Sequence, residues 1–183
     1  MRTINSNERQ AWLKKIGLEN IYKEWPNENW RFKEEKDALS CKTKSISITV
    51  KMPQRGVDVI SLSNLLTTGP KKIYAGSIFW LSGWGMSCDY EANPGIALYK
   101  KFLPEKKHPI EGIGLVFDES EMADQSAAIT IPIIWRWDAY MVPKYGDYFV
   151  QFSNDEFIDI VTKSESMANE WMKWLSDYKP EIS

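Results

Sequence analysis

The chain has 183 residues, of which 43% are hydrophobic and 26% are charged, and it contains two cysteines and one histidine. This composition predicts a globular protein; no stretch approaches the roughly 20 apolar residues that a membrane-spanning helix needs, and the polar N-terminus has no apolar region of a secretory signal. Two cysteines are too few for a disulfide framework, so we expect reduced thiols and a cytoplasmic protein.

Charged residues are distributed unevenly along the chain. Residues 1–109 contain 18 Lys and Arg against 11 Asp and Glu, a net charge of +7, whereas residues 110–183 contain 5 against 14, a net charge of −9. An acidic surface repels nucleic acid and attracts basic proteins, so we expect a protein partner and no nucleic acid. The asymmetry also fits a simpler interpretation, in which the two parts attract each other within one fold.

The first 40 residues predict a helix followed by an aromatic segment. Asn5 and Glu8 have the spacing of a capping box, and Gly17 can end a helix in the left-handed conformation. The apolar stripe of this helix, residues 5–17, consists of Ala11, Trp12 and Ile16. Residues 18–40 show no regular period and are predicted to wrap the surface, held by their aromatic rings.

Residues 41–162 are predicted to form the sheet. Apolar and polar residues alternate over residues 45–52, as in a strand with one buried face. Further strands are predicted at residues 73–81, 113–117 and 157–161. For residues 157–161 a helix is the alternative, because Ser153 and Glu156 also fit a capping box.

Three other segments of this region have helical features. Residues 57–66 fit either a strand or a helical turn, and Thr68-Gly69-Pro70 then breaks the chain. A short helix is predicted over residues 94–103, because a proline is well placed at a first helical position. Residues 118–128 are predicted to be an acidic connection that is partly helical.

The segment 129–142, ITIPIIWRWDAYMV, is the most informative part of the sequence and is predicted to be a strand. Alternation on a strand would place Trp135 and Trp137 on one face. Arg136 and Asp138 would share the opposite face. Two large rings on one side and a charge pair on the other suit a binding face, and they equally suit a sheet that is packed on one side.

The end of the chain predicts a hairpin and a helix. Pro132 favours an edge position or a bulge for the strand before the hairpin, and residues 148–152 alternate as the returning strand. Thr162 and Glu165 fit a capping box that begins a C-terminal helix over residues 163–179. Its predicted apolar face consists of Met167, Trp171, Trp174, Leu175 and Tyr178. The complete pattern predicts a single α+β domain, residues 1–183, with a mostly antiparallel sheet of about five to seven strands and an amphipathic helix at each end.

The sequence contains no recognisable motif for catalysis, phosphate binding or metal binding. His108 lies in a basic loop beside Pro109, which favours a solvated side chain. Cys88 precedes Asp89, whose charge opposes a reactive thiolate, so a buried structural thiol is the better interpretation. Two distant cysteines and one histidine fit no zinc spacing. We therefore predict no catalytic residue, no metal and no cofactor, and a protein that is not an enzyme.

Aromatic rings beside carboxylates are typical of surfaces that bind a partner. The predicted anchors are Trp135, Trp137, Asp138 and Tyr140. The predicted acidic steering field consists of Asp118, Glu119, Glu121 and Asp124. A second candidate surface, which follows a glycine-rich bend, consists of Trp84, Asp89 and Glu91.

These features predict a small cytosolic protein that binds another protein and neutralises or regulates it. The most concrete version is a bacterial immunity protein that inhibits a cognate, basic toxin domain. The alternative is a carbohydrate-binding or glycoside-hydrolysing domain, in which Asp89, Glu91 and Asp138 are candidates for the paired carboxylates of hydrolysis. A third hypothesis is an oligomer-forming structural protein, because an aromatic hairpin could also form a homodimer.

Overall fold

A computed structural model describes residues 1–24, 35–41, 45–70, 76–81, 94–103 and 113–176, and for residues 19–24 and 35–41 it describes the backbone. The strands are β1 (Arg2–Ile4), β2 (Leu18–Glu24), β3 (Glu35–Cys41), β4 (Ile46–Lys51), β5 (Ser77–Leu81), β6 (Gly114–Phe117), β7 (Ala139–Pro143), β8 (Tyr148–Phe152) and β9 (Phe157–Thr162). The helices are α1 (Ser6–Lys15), α2 (Gly56–Thr68), α3 (Pro94–Lys100), α4 (Met122–Trp135) and α5 (Glu165–Ser176). A short 3-10 helix, Glu119–Glu121, leads into α4.

Within the described residues, seven strands form one sheet in the order β1-β6-β5-β7-β8-β9-β4. Each neighbouring pair in this sheet is antiparallel. β2 and β3 pair antiparallel with each other as a separate ribbon. This arrangement confirms the predicted α+β fold, with its mostly antiparallel sheet and a helix near each end.

Both faces of the sheet are covered, and each has its own core. The main core lies between the sheet and α2, α3, α4 and α5, and it includes Leu62, Phe79, Tyr99, Leu115, Ile129, Trp137, Val150 and Trp171. The second core lies between the sheet and α1, and it includes Ile4, Leu13, Ile78, Trp80, Tyr140 and Phe149. The interior strand β5 is therefore buried along its whole length, because side chains that alternate between faces meet a core on both sides.

The capping box predicted at the start of the first helix is present. The Asn5 side chain accepts from the Glu8 backbone N–H at 2.9 Å, and the Glu8 carboxylate accepts from the Asn5 N–H at 2.8 Å. Gly17 follows the helix with a φ of 75°, as predicted. The predicted apolar stripe is correct in part: Trp12 and Ile16 pack against the second core, whereas Ala11 is exposed. The fully buried residues of α1 are Arg9 and Leu13.

Residues 18–40 are more regular than the sequence indicated. In the part that the structure describes, β2 and β3 pair from Leu18 with Cys41 to Glu24 with Glu35. The prediction of an irregular segment is therefore wrong for these two strands. In the sequences of β2 and β3, charged and apolar residues do not alternate regularly. The period-two pattern that identifies a half-buried strand is therefore weak.

The prediction of one strand over residues 129–142 is wrong. α4 continues to Trp135, and β7 begins at Ala139. Pro132 lies inside α4 rather than at a sheet edge or a bulge. Arg136 ends the helix in the left-handed conformation, with a φ of 55°, and the backbone N–H of the next residue, Trp137, donates to the Pro132 carbonyl at 3.1 Å. Packing of α4 against the sheet overrides the β preference of its isoleucines.

The other predicted elements of the C-terminal region are present. β7 and β8 form the hairpin, β9 is a strand rather than a helix, and α5 is the C-terminal helix. Its cap is Ser164 rather than Thr162, because the Ser164 hydroxyl accepts from the Met167 N–H at 3.2 Å. The Thr162 hydroxyl instead donates to the Ile46 carbonyl at 3.2 Å. Tyr178 lies outside the described residues.

Candidate partner-binding surface

Two of the four predicted anchors are buried. Trp137 is 2% exposed and belongs to the main core, and Tyr140 is 3% exposed and belongs to the second core. The Tyr140 ring lies 5.3 Å from the Trp80 ring, measured between centroids. The prediction that Trp137 and Tyr140 are exposed anchors is therefore wrong, because neither ring could reach a partner without opening a core.

Trp135, in contrast, is partly exposed at the end of α4. Its ring centroid lies 6.2 Å from that of Trp137, with an angle of 36° between the ring planes. Gly95 of α3 packs against both rings, since a Cβ at this position would lie 2.7 Å from Trp135 and 2.9 Å from Trp137. A glycine thus allows α3 to approach the end of α4 closely and fixes α3 beside it.

Asp138 has a structural contact that the sequence did not indicate. Its Oδ1 accepts a hydrogen bond from the Asn154 backbone N–H at 2.8 Å, which ties the start of β7 to the turn between β8 and β9. Trp84, Asp89 and Glu91 lie outside the described residues. The second candidate surface, and the carboxylate pair of the carbohydrate hypothesis, stay predictions.

The acidic segment before α4 is largely exposed. Asp118, Glu119 and Asp124 are exposed, whereas Glu121 is partly buried. The Glu121 carboxylate accepts from the Asp118 backbone N–H at 2.8 Å and forms an ion pair with the amino group of Met1. Glu119 and Asp124 are thus the best placed of these residues to act on a partner, while Glu121 serves the start of the helix.

An apolar groove lies on the outer surface of the helical layer, and we call it the α4 groove. Its floor is formed by α4 through Ala123 and Ala127, and its walls are formed by Ile60 of α2 and Leu98 of α3. Its volume is about 520 Å³, within the range of about 300–1,000 Å³ that ligand pockets span.

The rim of the α4 groove exposes large apolar side chains. Ile60 is 58% exposed, Ile134 is 49% exposed and Leu98 is 42% exposed. Scattered exposed apolar residues are ordinary, but these three come from different helices and line one groove. Trp135 also lines it, so the groove includes one of the predicted anchors.

Polar side chains hold α2 against α4. The Ser126 hydroxyl donates to Asn64 Oδ1 at 2.7 Å, and the Thr130 hydroxyl donates to Ser63 Oγ at 2.9 Å. These two hydrogen bonds join the middle of α4 to the middle of α2. Because these side chains are small and mutually hydrogen-bonded, the α2 wall of the groove is held in place without a partner.

A second cavity, of about 440 Å³, lies beside α1 and is lined by charges of both signs from Arg2, Glu8, Asp118 and Lys144. Glu8 is held by the cap of α1, and Asp118 forms the cap before α4. Because two of its four charged residues already serve the fold, this cavity is a weaker candidate than the α4 groove.

The sequence patterns identified none of Ile60, Leu98 or Ile134 as binding residues. A useful signal was nevertheless present, because Asp118 and Glu121 have the spacing of a capping box. That spacing predicts a helix through the following apolar run. Once the helix is recognised, Ala127 and Ile134 lie on one face two turns apart.

Tyr99 faces the main core from α3, behind the groove. Its hydroxyl has no hydrogen-bond partner among the residues that the structure describes. Burial raises the pKa of the phenol well above its ordinary value, while the charge of Arg9 lowers the pKa by a smaller amount. The neutral form is therefore strongly favoured in the folded protein.

Replacing Tyr99 by phenylalanine is expected to leave stability at neutral pH unchanged or slightly higher, because it removes an unpartnered buried hydroxyl. Above the ordinary tyrosine pKa of 10.0, the unfolded chain loses this proton while the folded chain retains it. The wild type then loses stability as the pH rises, by up to about 1.4 kcal/mol per pH unit more than the variant. Urea denaturation of both proteins from about pH 7 to 11 measures the difference, and parallel pH profiles would contradict the burial of this phenol.

Within the described ranges, none of the helices is long and apolar enough to cross a membrane. Among the same residues, no three His, Cys, Asp or Glu side chains are grouped so that they could hold a metal ion. Comparisons with protein-family models, with curated proteins and with solved structures give no match. The function must therefore be argued from the geometry and charge of the surface.

Proposed function

We propose that this chain binds another protein through the α4 groove and thereby neutralises or regulates it. The observation that carries the proposal is the groove itself, with Ile60, Leu98 and Ile134 exposed around a floor of small residues. Contiguous exposed apolar surface of this kind marks interaction sites on soluble proteins. The groove also offers Trp135, and tryptophan is enriched among the residues that contribute most to binding.

Charge supports a basic protein as the partner. Glu119 and Asp124 are exposed immediately before and within the first turn of α4, next to the groove residue Ala123. Residues 110–183 carry 5 Lys and Arg against 14 Asp and Glu, which adds a net acidic background. Such a surface accelerates the encounter with a basic protein and discourages an acidic one.

A bacterial immunity protein that inhibits a basic toxin domain in the cytoplasm is the most concrete form of this proposal. An inhibitor of that class acts by binding alone, so an apolar anchoring site beside an acidic rim is sufficient for its task. The apolar groove would provide the lasting contact, and the carboxylates would provide fast and selective association.

The test of the proposal is capture of a partner through the groove. The folded chain and an Ile60→Ser/Ile134→Ser variant are used as bait in a lysate of the organism that encodes the chain. We expect one protein to be captured stoichiometrically by the wild type and at least about tenfold less by the variant, because truncated anchors at the centre of an interface weaken binding most. The captured protein is then assayed for toxicity or activity with and without an equimolar amount of the chain.

A matched control is available on other elements. Tyr145, in the turn between β7 and β8, and Met172 of α5 are also large, apolar and exposed. A Tyr145→Ser/Met172→Ser variant removes a similar exposed apolar surface away from the groove and should capture the partner like the wild type. Equal capture by the groove variant and the control, or no stoichiometric capture by the wild type, would contradict the proposal.

Reversing charge beside the groove should change the rate of association. We expect Glu119→Lys/Asp124→Lys to lower the association rate with the captured partner by about tenfold at low salt and to flatten its salt dependence. Asp155→Lys/Glu170→Lys makes the same change in net charge at two other exposed residues and should have a smaller effect. Stopped-flow kinetics over a salt series measures the association rate of each variant and its salt dependence. Identical rates for the two variants would show that local charge does not steer binding.

A further inference from the structure

The shape of the α4 groove restricts what can occupy it. From Ala123 to Ile134, α4 rises about 16 Å along its axis, so the residues of α4 that line the groove span about three helical turns. Its residues Ala123 and Ala127 are one turn apart and small, which lets another backbone approach closely. The groove is thus elongated along α4, and residues of α2 and α3 form its walls.

Backbone hydrogen bonding favours a helix as the occupant. The groove is bounded by three helices, whose central N–H and C=O groups are bonded within each helix. An extended peptide adds to a protein by pairing with an open strand edge, and a groove made of helices offers no such edge. A helix satisfies its own backbone groups, so it can enter an apolar groove without leaving them unpaired.

The charges around the groove specify the polar residues of the occupant. Glu119 and Asp124 lie at the end where α4 begins, and Lys101, which follows α3, lines the groove itself. An occupant with Lys or Arg at the end beside Asp124 meets opposite charge there. Basic residues in the last turn of a helix also interact favourably with its dipole, so the C-terminal end of the occupant is the better match.

We propose that the α4 groove binds one amphipathic α-helix of a partner protein, with apolar residues on a single face and Lys or Arg in its last turn beside Asp124. This inference rests on the proposed function and specifies the structure of the partner segment. The bound helix lies along α4 between α2 and α3, and its apolar side chains contact Ile60, Leu98 and Ile134.

The test uses a phage-displayed library of random peptides of about 18 residues, long enough to form a helix that spans the groove. The library is selected against the intact chain. We expect the recovered peptides to share apolar residues at helical spacing with basic residues near their C-termini, and to gain helicity by circular dichroism when the chain is added. Peptides with period-two alternation or proline-rich cores, or peptides that bind without gaining helicity, would overturn the proposal.

A blocked groove provides the specificity control. Ala127 is exposed on the groove floor, so Ala127→Arg places a large charged side chain in the path of the occupant. Met172→Arg places the same side chain on α5. We expect peptide binding to weaken by at least about tenfold in the first variant and to be unchanged in the second. Equal binding to both would overturn the proposal.

The free chain with Ala127→Arg should unfold at the same temperature as the wild type. A lower unfolding temperature, repeated with Ala123→Arg, would show that the chain itself fills the groove and would overturn the proposal.

The outcomes separate the proposed function from the proposal of a helical occupant. If a natural partner is captured through the groove but the selected peptides are not helical, the proposal of a helical occupant fails and the proposed function stands. Failure of groove-dependent capture removes the function as well.

Discussion

Replacing Trp137 by alanine is expected to lower the free energy of unfolding by about 3–5 kcal/mol, as truncation of a fully buried aromatic side chain does. Trp137 is 2% exposed, packs beside the Trp135 ring and contacts Gly95. Its loss would leave a cavity where α3, the end of α4 and the start of β7 meet. Urea denaturation at neutral pH, followed by circular dichroism, measures the change.

Trp135 provides the matched control for this prediction, because it is the same residue type two positions earlier and is partly exposed. Trp135→Ala should lower the free energy of unfolding by less, about 1–2 kcal/mol. It should also weaken capture of the partner. A loss below about 1 kcal/mol for Trp137→Ala would mean that this ring is not part of a packed core.

The error over residues 129–142 has a physical origin. Ile129, Ile131 and Ile133 recur at every second position, as on a strand, and all three are buried. They are buried in a helix because α4 is covered by the sheet on one side and by α2 and α3 on two others. A helix that is enclosed on most sides gives a nearly continuous apolar run, and such a run does not distinguish a helix from a buried strand.

Elements with one buried and one exposed face were predictable. In β4, Ile48 and Val50 are buried while Ser47 and Lys51 are exposed. Because β4 is an edge strand of the sheet with a core on one face, its sequence alternates and reveals the strand. α5 is similar, since Trp171 is buried and its polar positions face solvent.

The candidate site could be predicted only in part. The exposure of Glu119 and Asp124 near the start of α4 was predictable, because carboxylates are costly to bury unpaired. The apolar groove was not visible, because Ile60, Leu98 and Ile134 come from three distant segments and become neighbours only when α2, α3 and α4 pack. The sequence pattern could not separate Trp135, which is partly exposed, from Trp137, which is buried.

Replacing Trp80 by alanine should lower the free energy of unfolding by about 3–5 kcal/mol, as much as the Trp137→Ala substitution does. Trp80 lies on the interior strand β5, is fully buried, and packs against Tyr140 of β7 in the second core. The guanidinium carbon of Arg9, on α1, lies 4.8 Å from the Trp80 ring centroid. The ring therefore both fills the space under α1 and faces a buried cation, so its removal affects packing and charge together.

A double-mutant cycle separates these two effects. Arg9→Met keeps most of the length of the side chain and removes the charge, so it isolates the contact between cation and ring. We expect a coupling free energy of about 1–2 kcal/mol between Arg9→Met and Trp80→Ala, because a cation–π contact is strongest where water is excluded. Trp80→Phe retains an aromatic face and should retain part of that coupling. Additive losses in urea denaturation would show that Arg9 is stabilised by its other contacts and that Trp80 acts through packing alone.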